Sequence, residues 1–136
     1  MYIVIIGSGR TGSKLAGVLS KNGHEVVVID KDNQKFKKLS IEFSGFTIEG
    51  DALEHEILRK AKLEKAELAV VTTDNDKVNY MLAQMAKNIF NVNKTLVRII
   101  DPEREKMLAG VEDIETFSPL SLLVEAFGKR IKKVEG

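Results

Sequence analysis

Ile3-Val4-Ile5-Ile6-Gly7-Ser8-Gly9-Arg10-Thr11-Gly12 sets four consecutive β-branched residues against a G-x-G-x-x-G turn, and Leu15, Ala16 and Leu19 then fall at helical spacing. Strand, glycine turn and helix in that order form the context in which such a turn cradles the phosphates of a dinucleotide. Gly7 is expected to make the tight turn, Gly9 to let phosphates approach the backbone, and Gly12 to let helix and strand pack closely. N–H groups left free at the helix start would face the phosphates. A glycine turn with no ligand is the alternative.

The same rhythm continues along the chain. Strands are expected at residues 3–6, 26–29, 46–48, 68–71, 95–100 and 114–117, with helical patterns between them. The runs Ile3-Val4-Ile5-Ile6 and Val26-Val27-Val28-Ile29 do not alternate with polar residues, so helices should cover both faces. Right-handed crossovers then give an α/β, Rossmann-like doubly wound parallel sheet of six strands in the order 3-2-1-4-5-6. Its ligand crevice opens above strands one and four. Gly23 stands where a left-handed cap would end the first helix. Asp32 is placed to cap the second, with Phe36, Leu39 and Phe43 inward and Gly45 as its stop. Val78, Met81, Leu82, Met85, Ala86 and Ile89 form a core-facing stripe further on.

With 136 residues, the chain is expected to form one domain over residues 1–136. Its 21 Lys and Arg against 20 Asp and Glu leave a formal net charge of +1, which gives no general attraction to nucleic acid or anionic lipid. The only basic cluster, Lys129, Arg130, Lys132 and Lys133, complements a helix C-terminus and carries no interleaved aromatics for base stacking. The absence of cysteine excludes disulfides and thiolate metal sites, and fits a reducing, cytoplasmic compartment. No apolar run approaches the roughly 18 residues of a membrane span, so no direct membrane insertion is expected.

The candidate site residues sit at the ends of the expected strands. Asp30 closes the second strand, where a carboxylate accepts hydrogen bonds from a ribose diol and repels a 2′-phosphate, so NADP is disfavoured. Lys31 either moderates that selectivity or is a solvated charge. Arg10 opposes the helix dipole unless a phosphate answers it. Gly50-Asp51-Ala52 follows the third strand over the adenine end of the crevice; Asp51 either accepts from the exocyclic amine or simply forms the turn. Thr72-Thr73-Asp74-Asn75-Asp76 follows the fourth strand, with Thr73 and Asp74 placed to meet phosphates or the second ribose, or with Asp74 or Asn75 capping the next helix. Arg98 lies inside an apolar strand and needs an anionic answer, either from Asp101 or Glu103 or from a ligand phosphate. His24 and His55 are far apart and have no acid partner, and no metal-ligand spacing exists, so no enzyme activity is expected.

Ser118-Pro119 reads as a helix start, and Leu120, Leu123, Val124, Phe127, Ile131 and Val134 continue as a stripe that Leu122 and Ala126 widen. So wide an apolar surface on a terminal helix predicts a symmetric homodimer made partly by it. Ordinary packing on the sheet is the alternative.

The glycine loop, Asp30, Gly50-Asp51-Ala52, Thr72 to Asp76, Arg98 and the Ser118-Pro119 helix, in this order, resemble the Trk/RCK N-terminal domain family from Met1 to about Lys133. The resemblance implies NAD(H) or an adenine nucleotide (ATP, ADP or AMP) as ligand, and dimers that assemble into rings. It also implies gating of a potassium-transporting membrane protein from the inner face of the cell membrane. It carries nucleotide contacts onto Gly7, Ser8, Gly9, Arg10, Thr11, Asp30, Asp51, Thr73, Asp74 and Arg98, with Arg10 reaching a terminal phosphate. Leu53 departs from the family pattern, which often has Thr there. The family's C-terminal sensing domain has no counterpart, which implies a minimal member or a fragment. A nucleotide-binding fragment of an NAD-dependent dehydrogenase is the competing reading, and a fold kept only for dimerisation is the third.

Overall fold

In the computed structural model, which describes all 136 residues, six apolar runs form six parallel strands: β1 (Tyr2–Ile6), β2 (Glu25–Asp30), β3 (Phe46–Glu49), β4 (Leu68–Val71), β5 (Thr95–Arg98) and β6 (Ile114–Phe117). They lie in the expected order, β3-β2-β1-β4-β5-β6. Ile5 of the central β1 stands level with Val28 of β2 and Val70 of β4. The helices are α1 (Arg10–Lys21), α2 (His55–Lys60), α3 (Asp76–Asn88), α4 (Pro102–Glu105) and α5 (Pro119–Glu135), with 3₁₀ turns at Asn33–Lys38 and Leu63–Lys65.

The period of two along β1 splits the core. Ile3 and Ile5 join Ala16, Val26, Val28 and Val70 on the face under α1, whereas Val4 and Ile6 join Leu58, Leu82, Ala83 and Ala86 on the face under α2 and α3. Each such fully buried Ile, Leu or Val contributes about 1.5–3 kcal/mol over its exposed state. Both faces of the first two strands are covered, as their unbroken apolar runs require.

Three local expectations are corrected. Residues 33–43 do not form one α-helix: Asp32 caps as expected, accepting from the Gln34 amide at 3.0 Å, but only the 3₁₀ turn forms and Leu39 is already extended. Phe36 and Leu39 are three residues apart, and 3₁₀ geometry stacks i over i+3, so both reach the core without a full helix. Gly45 then matters for close approach rather than as a helix stop, since a Cβ there would lie 1.9 Å from the Val26 carbonyl oxygen.

The buried face of α3 is Asp76, Asn79, Leu82, Ala83 and Ala86, while Met81 and Ile89 are exposed. The helix is rotated so that Met81 faces outward and Asp76 and Asn79 turn inward, while Val78 and Met85 of the expected stripe still pack against the core. The β5 strand ends at Arg98 instead of Ile100: the Ile99 amide still donates to the Phe117 carbonyl at 3.0 Å, but the carboxylate of Asp76 takes the two amides after it, accepting from Ile100 at 2.8 Å and Asp101 at 3.0 Å.

Ser118 caps α5 as expected. No residue of α5 is buried, and Leu120, Leu123, Val124, Phe127 and Ile131 are each more than half exposed. Packing of α5 on its own sheet is therefore excluded.

Candidate functional site

The β1 and β4 strands lie side by side, and their chains leave toward opposite faces of the sheet, which opens a crevice above their C-terminal ends. A cavity of about 500 Å³ lies there, within the size range of small-molecule sites.

One wall is the glycine turn. Gly7 has φ +108°, and a Cβ on it would meet the Thr72 carbonyl carbon at 2.8 Å, so both conformation and space demand glycine. A Cβ on Gly12 would lie 1.9 Å from the Gly7 carbonyl oxygen, the close helix–strand packing expected of it. Gly9 differs: an added Cβ meets nothing within 4 Å and would point into open space. It is also the N-cap of α1, with no side chain capping the helix, so backbone donors at this end remain available to an anion.

Asp30 lines the cavity and is anchored by two backbone amides, from Ser8 to Oδ2 and from Asp32 to Oδ1, both at 2.8 Å. Each carboxylate oxygen keeps a second lone pair for a ligand hydroxyl. Ser8 does not line the cavity. It is fully buried, with Oγ bonded to Ser13 Oγ at 2.8 Å and donating to the Lys35 carbonyl at 3.3 Å, so it ties the glycine turn to the 3₁₀ turn. Thr11 and Gly12 also lie outside the lining.

Arg10, Lys31, Asp51, Ala52, Thr72, Thr73, Asp74 and Arg98 all line the cavity. Asp51 forms its own turn, Oδ1 accepting from the Leu53 amide at 2.9 Å, and keeps its other oxygen free. Asn75 caps α3 by accepting from Val78 at 3.0 Å, which leaves Asp74 exposed at the rim.

Arg98 forms no ion pair. Asp101 pairs with Arg104 at 3.8 Å and Glu103 with Lys106 at 3.0 Å, so the proposed structural partners are spent elsewhere. Instead Arg98 Nη2 donates to the carbonyl oxygens of Thr72 and Thr73, at 2.9 and 2.8 Å. Its Nη1 reaches Thr11 Oγ1 at 3.5 Å, and its Nε is buried without a partner. Carbonyl dipoles orient the cation without neutralising it.

Sequence reasoning missed three contributors. Lys35 and Lys38 line the cavity from the 3₁₀ turn. With Arg10, Lys31 and Arg98 they make five cations against the carboxylates of Asp30, Asp51 and Asp74, so the cavity concentrates positive charge in a nearly neutral chain. Asn79 is fully buried; Nδ2 donates to the Thr73 carbonyl at 3.0 Å and the Arg98 carbonyl at 2.9 Å, and Oδ1 accepts from Thr73 Oγ1. Polar Asp76 and Asn79, three apart within an otherwise apolar helix pattern, were the available signal.

The model of the TrkA-N domain family matches residues 3–118. A Trk system potassium uptake protein TrkA homolog of Pyrococcus horikoshii is 33% identical over 117 residues, 86% of this chain and 51% of that protein. Trk system potassium uptake protein TrkA of Streptomyces coelicolor is 37% identical over 107 residues, 79% of this chain and 48% of that protein. The chain thus spans about half the length of these relatives. Among solved structures, the GsuK channel bound to NAD superposes with TM-score 0.77 at 24% identity, covering 98% of this chain and 24% of that one, which shows the shared fold. GsuK has also been solved bound to ADP.

Proposed function

The chain belongs to the TrkA-N domain family, and from that membership we propose that it is the nucleotide-binding regulatory domain or subunit of a Trk- or Ktr-type potassium transport system. The observation that carries this reading is the excess of positive charge in a crevice whose Arg98 has only carbonyl and hydroxyl partners. The ligand is NAD(H) or an adenine nucleotide. When bound it supplies a ribose diol and a chain of anionic phosphates. Gly7, Gly9 and the start of α1 face those phosphates together with Arg10 and Arg98, and Thr73 and Asp74 meet the phosphates or the second ribose. Asp30 receives the ribose hydroxyls, and its charge disfavours the 2′-phosphate of NADP. Asp51 and Ala52 flank the base, with Lys31 beside them.

The relatives' names support a potassium-transporting membrane protein as the partner. Two copies join through α5, whose apolar face finds no cover in its own chain, and such dimers build a larger ring. No helix is long and apolar enough to cross a membrane, and the protein works at the inner face of the cell membrane through its partner. Ligand occupancy itself is the output, which requires different affinities for two shapes of the dimer.

Calorimetric titration with NADH, NAD, ATP, ADP, AMP and NADP tests the reading. Binding that is lost in Asp30→Ala and Arg98→Ala supports it, and unchanged binding in both sinks the site. Turnover of a hydroxy or carbonyl substrate by this chain with NAD would replace a regulator with a dehydrogenase.

A further inference from the structure

The α5 helix hangs from the body by very little. It buries no residue, and its only side-chain hydrogen bond to the rest of the chain runs from Ser121 Oγ to Glu105 Oε1 at 3.4 Å. The other carboxylate oxygen of Glu105 accepts from Thr116 Oγ1 of β6 at 3.3 Å. Glu105 therefore straddles the strand from which α5 departs and the first turn of α5 itself. Together with the buried cap Ser118, this contact is what ties so long an unpacked helix to the body.

Glu105 is the last residue of α4, and α4 is in turn held by α3. Asp76, with its side chain 6% exposed, fixes the two amides before α4 and lies 3.8 Å from Arg104 Nη1, while Arg104 Nε lies 3.8 Å from Asp101. One turn along α3 from Asp76, Asn79 holds both the Thr73 loop and the Arg98 carbonyl at the cavity. A run of polar contacts, close at Asn79 and longer at Arg104 and Glu105, thus joins Thr73 and Arg98, through Asn79 and Asp76 on one helix, to Arg104, Glu105 and Ser121.

We infer that Glu105 is a positioning residue that sets the first turn of α5 according to the state of the cavity. The inference rests on the cavity being a nucleotide site and adds the route by which occupancy reaches the dimerising helix. A ligand that draws Thr73 or Arg98 toward its phosphates loads α3 through Asn79. The displacement is then relayed by Asp76 to α4, and Glu105 alters the seat of Ser121. Coupling of this kind is reciprocal, so a partner that holds α5 at one angle also tunes nucleotide affinity.

The test is amide hydrogen exchange across residues 119–124, read at the amides of 120–124 because Pro119 has none, with and without ADP, on the parent chain, Glu105→Ala and Ser121→Ala. Ser121 is exposed, so its variant spares the fold if the Glu105 variant does not. ADP is expected to change exchange there severalfold in the parent and to leave it unchanged in both variants, while the variants bind ADP within about threefold of the parent because neither touches the cavity. An equal response in parent and variants, or ADP binding that leaves residues 119–124 of the parent unmoved, overturns the inference. If ADP and NADH both fail to bind the parent, the nucleotide reading falls, and the relay is then read without ligand. Arg98→Ala must change exchange at residues 119–124 in the parent background and not in Glu105→Ala; any other pattern overturns it.

Discussion

The Arg98 guanidinium holds the carbonyl oxygen of Thr73 at 2.8 Å, so a side chain of β5 shapes the loop that leaves β4. The same nitrogen holds the Thr72 carbonyl at 2.9 Å. Arg98→Ala is expected to cost about 1.5–3 kcal/mol, the range for hydrogen bonds made by a charged group, and to abolish nucleotide binding. Arg98→Lys restores the charge without the planar fork and should recover only part of each. Denaturant titrations with and without ADP measure both effects, and a lysine variant as stable and as tight-binding as the parent would remove the geometric role.

The glycines of the turn separate folding from binding. Gly12→Ala places a Cβ 1.9 Å from the Gly7 carbonyl oxygen and should destabilise by about 1–3 kcal/mol or more, as overpacking does. Gly9→Ala meets no atom and its φ of −74° suits alanine, so its stability should change by no more than about 1 kcal/mol through the weaker cap. Its methyl group would nevertheless stand where phosphates approach, and at least tenfold weaker nucleotide binding is expected by calorimetry. Unchanged binding in folded Gly9→Ala would mean that no ligand comes near the turn.

Asp30→Asn tests whether the carboxylate is needed for the loop as well as for ligand. An asparagine has one acceptor oxygen, and its NH₂ would face one of the two amides that Asp30 now satisfies. One buried donor is left unpaired, at a cost of about 1–3 kcal/mol. Thermal denaturation checks this, and stability equal to the parent would show that the loop does not depend on both oxygens.

The strand order and the position of the cavity were legible in the sequence because they follow from apolar runs and glycine spacing, which act locally. Asp30 and Arg98 stood out for a related reason: one is a charge that closes an apolar run and the other a charge inside one, where its presence needs a cause. Three things escaped because they are settled only when distant segments meet. Asp76 ends the β5 ladder from 24 residues away, and no pattern within β5 announces it. Lys35 and Lys38 enter the cavity because the 3₁₀ turn is drawn back by the Ser8 to Lys35 contact. Met81 and Ile89 fit the helical stripe, yet the polar side chains of Asp76 and Asn79 had partners to reach, and that rotated α3.

The apolar face of α5 predicts self-association that a single charge should break. Phe127 is 61% exposed within the chain, so Phe127→Glu should leave the monomer fold within about 0.5 kcal/mol of the parent. Analytical ultracentrifugation should show a dimer for the parent and a monomer for the variant. An equal mass for both would exclude this part of the helix from any contact between copies.

Alkaline conditions should destabilise the fold through Tyr2. Burial, followed by the charges of Glu64 and Glu25, raises its phenol above the ordinary value, and its hydroxyl donates to the Ala61 carbonyl. The unfolded chain then loses this proton first, from about pH 10 upward. The stabilisation is complete below that pH and falls as pH rises through the folded value. Tyr2→Phe cannot titrate, so its stability should decline less between pH 9 and pH 11 by urea denaturation, and an identical decline would rule out the phenol as its source.

A helix that lends nothing to the interior of its own chain is also free of the constraints that interior imposes. Substitutions along residues 119–135 can accumulate without endangering the sheet, while those around Gly7, Gly12 and Asp30 cannot. The two ends of the molecule can therefore diverge at different speeds, so that changes confined to the seventeen residues of α5 can alter what the helix meets while the sheet stays as it is.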